Sequence, residues 1–319
     1  MAKKHHPRRG SLQFWPRKRA KKAFARVRSW SKIANTPICG FIGYKAGMTH
    51  IIAKDNSPHS IYKKELLSIP VTIIECPPLK PLSLRFYQTS PDGLQCIAEI
   101  FSKNTSKDIK KILKLTKKPA KIPEQFDEVR LAVHSQPKLT GIGQKKPEII
   151  ELPIKGKNPK ERLEQAQSFL EREIKLQDVL KDQKLVDVHS ITKGKGFQGA
   201  VKRFGVKIRT RKSEKTKRGT GNLGAWTPKK VLFSVPQPGK MGFHQRTEYN
   251  KLNIMIDSAP EKVNPKAGFL HYGLIKNDYI MLKGSIPGPV KRTIVLTPSM
   301  RQRKPGELQV VSISKESKQ

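Results

Sequence analysis

Gly194-x-Gly196-x-x-Gly199, within TKGKGFQGAVKRFG (residues 192–205), has the spacing of a loop that lets backbone N–H groups approach a phosphate. Two chemistries use such a loop. A dinucleotide enzyme needs a strand before the glycines and a helix after them, its N-terminus facing the pyrophosphate. KLVDVHSIT supplies a strand candidate, but AVKRFGVKIRTRK is β-branched, broken by Gly205 and crowded with cations, which argues against a helix. The acid that follows, Glu214, lies in RKSEKTKR rather than at the end of a second strand. The other chemistry is contact with a nucleic-acid backbone. There Lys193, Lys195, Lys202 and Arg203 neutralise phosphates while the glycines allow close approach.

Other reactive sets are poor. His5 and His6 sit in a basic, Pro-containing stretch, and neither H-E-x-x-H nor H-x-x-x-H occurs. His244 has Glu248 four residues on, a pair read as structural because no nucleophile or metal site accompanies it. No G-x-x-x-x-G-K-[ST] is present, which removes the P-loop NTPases. Cys39, Cys76 and Cys96 show neither a disulfide framework nor metal spacing, and are expected to be buried free thiols. The residues ask for no enzyme, no cofactor and no protein-held metal.

Charge says more. Among 319 residues, 65 Lys and Arg face 25 Asp and Glu, a net +40, with 36% apolar residues to build a core. A chain so basic calls for a polyanion, with nucleic acid ahead of an anionic membrane surface. The charge is also segregated. Met1–Lys54 holds 14 cations and no acid, and Lys193–Lys230 holds 13 cations against Glu214 alone. Ile97–Leu180, by contrast, holds 12 acids against 18 cations, an ordinary soluble surface. The N-terminal stretch lacks the apolar core of a secretory signal; its Arg-rich, acid-free character is shared with organellar transit peptides. No apolar run is long enough to span a bilayer.

In the N-terminal basic segment Phe14, Trp15, Phe24 and Trp30 alternate with cations, and Pro7, Gly10 and Pro16 interrupt any helix. In the internal one Gly205, Gly219, Gly221 and Gly224 do the same. Segments of this composition are expected to order against RNA rather than alone, with cations on phosphates and aromatic planes on unstacked bases. Trp15 and Trp30 fit either RNA-facing or staple positions.

The elements positioning these arms read as short strands. CGFIGYKAGMTHIIAK predicts two strands around a Lys45-Ala46-Gly47 turn, and VTIIECPP a buried strand stopped by prolines. LSLRFYQTSPDGLQCIAEIF is a hairpin turning at Pro91-Asp92-Gly93, and YIMLKGSIPGPVKRTIVLTP two strands joined through Gly284–Pro289. One helix is marked by Asn158, Pro159 and Glu161, with Leu163, Ala166, Leu170 and Ile174 on one face; SKDIKKILKL is a weaker candidate. Nothing firm is read after Thr297. The class is mainly β (α+β): a closed barrel with an inserted helix-containing segment and long basic extensions. The division is 1–38 basic arm, 39–100 first part of the barrel, 101–180 insertion, 181–192 a barrel strand, 193–250 long basic loop, 251–298 last part of the barrel and 299–319 tail.

HHPRRGSLQFWPRKRA, GFIGYKAGMTH, TKGKGFQGAVKRFG, GTGNLGAWTPKKVLFSVPQPGKMGFHQRTEYNK and GFLHYGLIKNDYIMLKGSIPGPVKR together resemble the universal L-three family of large-subunit ribosomal proteins. The basic N-terminal block, the middle insertion and GFHQRTEYNK are similar to its archaeal and eukaryotic branch, and the absence of a longer C-terminal extension to the archaeal form. The resemblance implies a Greek-key β-barrel of the translation-protein type on the outside of the large subunit. It implies an arm and a long loop running into 23S-type rRNA toward the peptidyl transferase centre, with roles in early assembly and in accommodation of aminoacyl-tRNA. The implied partners are rRNA and neighbouring ribosomal proteins in the cytoplasm, with no membrane, no small-molecule substrate and Mg2+ only as part of the rRNA.

The contacts this places on the arm are Arg8, Arg9, Phe14, Trp15, Arg17, Lys18 and Arg19. On the loop they are Lys193, Lys195, Lys202, Arg203, Lys207, Arg209, Arg211, Lys212, Lys217, Arg218, Lys229, Lys230, His244 and Arg246, with backbone approach at Gly194, Gly196, Gly199, Gly221 and Gly224. Trp226, in GAWTP, matches the family's tryptophan finger. Some eukaryotic relatives carry a modified His shortly before the finger; KSEKTKRG has none. A general nucleic-acid coat and an RNA-modifying enzyme are the competing classes, and neither accounts for the five blocks.

Overall fold

The computed structural model describes residues 8–31, 36–58, 60–63, 65–113, 121–156, 158–212, 216–227, 229–301 and 303–316. The chain is mainly β with a few short helices, an α+β protein. It divides into two compact units: residues 1–23 with 191–245, and residues 24–190 with 246–319.

The larger unit is organised by β1 (Phe41–Asp55), 15 residues long. The expected break at Lys45-Ala46-Gly47 is a bulge, not a turn. Pairing with β2 (Leu66–Glu75) shifts between Lys45 and Gly47, so the strand absorbs one extra residue and continues. Gly47 is required there, because a Cβ would lie 2.6 Å from the Phe269 ring. Residues 41–47 are buried on both faces, whereas Met48–Lys54 largely alternate between exposed and covered positions, as a strand with one wet face must.

The hairpin forms as read: β3 (Lys80–Ser90) meets β4 (Gly93–Phe101) with Ser90 opposite Gly93, whose φ of +117° suits glycine. These strands join β5 (Glu128–His134) and β6 (Ile149–Pro153) in a separate sheet of order β4-β3-β5-β6. Residues 101–180 therefore contribute two strands besides helices α1 (Lys107–Lys110), α2 (Pro159–Leu170) and α3 (Leu176–Leu180). Pro159 opens α2 after Asn158, which caps by backbone conformation without a side-chain bond. The helix ends at Leu170, short of Ile174, which instead bridges Leu79 by an isolated β pair. Of SKDIKKILKL only one turn is helical, and its last two residues lie outside the described ones.

The remaining strands are β7 (Leu185–Ile191), β8 (Phe197–Gln198), β9 (Gly239–Lys240), β10 (Gln245–Asp257), β11 (Tyr279–Lys283), β12 (Thr293–Pro298) and β13 (Leu308–Ile313). The large sheet runs β12-β7-β10-β11-β2-β1-β13, and β12 pairs in addition with β1. β11 and β12, contiguous in sequence, do not pair with each other; β11 lies between β10 and β2, and β12 beside β7 and β1. β13 comes from the C-terminal stretch that gave no sequence reading.

One apolar cluster joins Phe41, Ile74 and Leu296 of the large sheet to Phe86 and Leu131 of the smaller one and to Ala166 and Phe169 of α2. Covering a side chain such as Phe169 contributes about 1.5–3 kcal/mol. A second cluster sets Tyr44, Ile51 and Val71 against Phe269 and Tyr272. Phe24, Val27 and Trp30 pack on the first cluster, so Trp30 is a staple to the core. Cys39 and Cys76 are buried free thiols; Cys96 is a correction, because it stands exposed on β4, an edge strand open to solvent.

Candidate nucleic-acid interface

The smaller unit brings the N-terminal arm and the internal loop together. Its two segments contain 23 Lys and Arg against one acid, Glu214, which lies outside the described residues. Among the described residues the two segments pack on each other, a few aromatic residues supplying a small shared core.

That core is built around α4 (Ala200–Phe204). A helix does follow the glycines, contrary to the sequence reading, but it is one turn of five residues closed by Gly205 in the left-handed conformation. It delivers Phe204 to a buried position. Trp15 stacks on Phe204 with centroids 5.8 Å apart and meets Phe233 edge-on at 5.7 Å. Each such ring pair adds about 0.5–1.5 kcal/mol beyond burial. The Arg17 guanidinium lies 4.3 Å over the Phe204 ring, and its Nη1 donates to the Arg203 carbonyl at 3.0 Å. Arg203 Nη1 in turn donates to the Gln237 carbonyl at 2.9 Å.

Bonds to backbone carbonyls complete the seam. Ala20 N donates to the Phe243 carbonyl at 2.8 Å, and His244 Nδ1 to the Lys18 carbonyl at 2.8 Å. The Arg19 guanidinium covers the Phe243 ring at 5.2 Å, and Arg8 Nη2 donates to the Ser234 carbonyl at 2.9 Å. Glu248 pairs with Lys251 at 2.6 Å, so His244 and Glu248 have different partners and no acid–base dyad is assembled.

The GKG glycines belong to a small ribbon. β8 pairs with β9, Lys195 N donates to the Met241 carbonyl and Met241 N to the Gly196 carbonyl, both at 2.9 Å. Gly242, not singled out from sequence, closes this ribbon: its φ is +77°, and a Cβ would lie 2.2 Å from the Lys193 carbonyl oxygen. Gly196, Gly221 and Gly224 have positive φ, whereas Gly194 and Gly199 do not. The geometry is that of a turn in a two-stranded ribbon, not of a nucleotide loop between a strand and a long helix.

The sequence-named side chains divide into two groups. Trp15, Arg17, Arg203, Arg209 and His244 are half-buried in this unit, and Arg17, Arg203, Arg8 and Arg19 have partners within it. Arg9, Phe14, Lys18, Lys193, Lys195, Lys202, Lys207, Arg211, Lys212, Lys217, Arg218, Lys229 and Lys230 are exposed. Arg246 lies at the start of β10 in the larger unit, where burial holds its pKa below the usual guanidinium value. Trp226 is 86% exposed, on a turn in which Lys229 N donates to its carbonyl at 2.8 Å. Sequence reasoning missed Phe204, Phe233 and Phe243 as ring platforms. It also passed over Phe197, 71% exposed and paired with Lys240 across the ribbon; an aromatic inside KGKGFQG was the signal for it.

The arrangement is a cationic surface with exposed aromatic planes, suited to phosphates and unstacked bases. Among the described residues no group of His, Cys, Asp and Glu is placed to hold a metal, and no helix is long and apolar enough to cross a membrane.

The sequence model of the family described as ribosomal protein L3 matches residues 1–122 and 114–318. The chain is 43% identical over 312 residues to the large ribosomal subunit protein uL3 of Methanocaldococcus jannaschii, covering 94% of this chain and 93% of that one. It is 42% identical over 329 residues to the uL3 of Methanococcus maripaludis, covering 99% and 98%. With the uL3 of Methanothermobacter thermautotrophicus the identity is 41% over 317 residues, 94% of each chain. Matched nearly end to end by these archaeal proteins, the chain belongs to the ribosomal protein L3 family in its archaeal form, a family of structural proteins and not of enzymes.

Proposed function

We propose that this protein is a structural constituent of the large ribosomal subunit that binds 23S-type rRNA, supports early subunit assembly and extends a loop toward the peptidyl transferase centre. The observation that carries the reading is the unit of 23 cations and one acid, with Trp226 exposed on its loop. Its exposed lysines and arginines sit on phosphates and release counterions, while Gly196, Gly221 and Gly224 let the backbone lie close to the RNA. Trp226 stacks on an unpaired base at the far end of the loop, a contact worth about 1–3 kcal/mol. Arg17, Arg203 and Trp15 serve the same end indirectly, by holding arm and loop in one shape before RNA is met. Working in the cytoplasm as part of the ribosome, the protein needs rRNA and neighbouring ribosomal proteins as partners.

The same reading includes a Greek-key barrel as the platform. Support comes from the pairing of β12 with β1 in addition to the order β12-β7-β10-β11-β2-β1, which returns the ladder to its starting strand.

The test is sedimentation of a tagged copy through a sucrose gradient, before and after a high-salt wash. Exposed phosphate contacts alone weaken by about 10³–10⁵-fold for 6–10 contacts over a fourfold rise in salt. Co-migration with the large subunit after the wash is expected. Release into light fractions, or migration with bulk DNA, overturns the reading.

A further inference from the structure

A second surface of the larger unit has the opposite character to the basic one. On the outer face of β13-β1-β2, Leu66 is 61% exposed, Val311 55%, and Met48 and Ile52 39% each. Ile52 stands opposite Ser68 on β2 and Ser312 on β13, and Leu66 opposite Lys54, so these side chains share one face. The loop between β1 and β2 presents two further apolar side chains, Tyr62, 54% exposed, and Ile61, 92% exposed.

Hydrogen bonds tie the described residues of this loop together. The Asp55 carboxylate accepts from Ser57 N at 3.0 Å and from Ser60 Oγ at 2.6 Å, bonds that lower its pKa to about 2. Asp55 also bridges Lys63 by a β pair, and Glu65 N donates to the Tyr62 carbonyl at 3.1 Å. Asn56 N donates to the Glu307 carbonyl at 2.9 Å, tying the loop to the approach to β13. An apolar side chain is thus held in water by a folded, hydrogen-bonded loop. β13 itself ends the sheet, and the register shift between Ile52 and Ala53 leaves Val311 as an extra, outward residue.

Charge identifies the occupant. Residues 48–68 and 306–313 carry three lysines (Lys54, Lys63, Lys64) and three acids (Asp55, Glu65, Glu307). In a chain of net charge +40 this is a neutral region, apolar at its centre with a mixed-charge rim. Phosphate gains little there, since nucleic-acid interfaces are polar and strongly positive. A second copy of the chain brings a further +40 and is repelled. We propose that this face, with Ile61 as its anchor, docks an apolar surface of another folded protein of the large subunit. The proposal rests on the ribosomal reading above and adds where a protein neighbour sits.

The experiment places a photo-reactive side chain, Ile61→p-benzoylphenylalanine, in a tagged copy, isolates large subunits on a gradient and irradiates them. The expected product is one RNase-resistant adduct with a single other protein, its yield reduced about tenfold or more by Val311→Asp while the chain still co-sediments. An adduct removed by RNase, an adduct with a second copy, no adduct at all, or a yield indifferent to Val311→Asp overturns the proposal. A chain that never enters the subunit overturns the functional reading and this inference together. A chain that enters and crosslinks only to RNA overturns this inference alone.

Discussion

Trp15 of the N-terminal arm stacks on Phe204 of the internal loop, 5.8 Å between centroids and 21° between planes. Two segments far apart in sequence, each too polar to fold by itself, thereby acquire a common core. Trp15→Ala removes this stack and the edge contact with Phe233, about 1–3 kcal/mol of ring pairing. Limited proteolysis of the free protein is expected to cut the variant within residues 8–23 or 200–240 well before the wild type, at unchanged melting temperature of the larger unit. Equal cleavage rates would show that the stack holds nothing.

Trp226→Ala removes an exposed ring that packs on no core cluster. The salt at which the protein leaves the large subunit is expected to stay the same, because many phosphate contacts outweigh one stacked base. Accommodation of aminoacyl-tRNA, or the response to antibiotics at the peptidyl transferase centre, is expected to change. Loss of subunit association in this variant contradicts the division of labour.

Glu75 is fully buried, and its carboxylate accepts from Lys276 N, Asn277 N, Asn277 Nδ2 and the Tyr272 hydroxyl, a cradle fixing the chain just before β11. Glu75→Gln keeps one oxygen for the three N–H donors and turns its amide to the Tyr272 hydroxyl, but it loses the charge that strengthens the bonds of the cradle and is expected to cost about 2–4 kcal/mol. Tyr272→Phe removes one donor and is expected to cost about 1 kcal/mol. Chemical denaturation of the two variants checks the ranking; a Glu75→Gln chain as stable as wild type refutes it.

Cysteine labelling separates the three thiols. Burial pushes Cys39 up to about 11 and Cys76 well above the usual thiol value, whereas Cys96 is exposed with a smaller rise. Alkylation at pH 8 of the folded protein is expected at Cys96 alone, and at all three sites after unfolding. Because Cys39 is raised in the folded state, its contribution to stability is complete below its unfolded value of 9.0 and is lost as pH climbs through about 11. Cys39→Ala is therefore expected to flatten the alkaline limb of a melting curve series.

His189 gives the acid counterpart. It lies between Thr247 and Thr297 at 2.9 and 3.1 Å, and burial lowers its pKa against the opposing pull of Asp187. The unfolded chain takes up the proton first, so stability is full above the ordinary imidazole value of 6.5 and falls as pH drops below it. Melting temperatures between pH 7.5 and 5 are expected to decline less in His189→Gln than in the wild type.

The segregation of charge was legible in composition, because it needs no tertiary structure to be seen. The PDG hairpin and the start of α2 were legible for a similar reason: both rest on local turn and cap preferences. What failed was non-local. The bulge at Ala46 depends on Phe269 arriving from the other end of the chain, and β13 acquires its strand character only from β1. Nothing near Trp15 and Arg17 in sequence reveals Phe204 or Phe233 as their partners.

The long strand β1 takes β2 along one side and, on the other, both β12 and β13. A growing chain emerging N-terminus first can dock β2 at once, but the opposite flank stays bare until the intervening sequence has been made. The last strands translated are therefore the ones that cover that flank of β1. The N-terminal cationic segment is out from the start of that interval and the internal one before its end, so on the proposed reading the nascent protein can meet nucleic acid before that flank is covered. A fold ordered this way favours delivery straight from synthesis to its polyanion, with little room for a long-lived free pool.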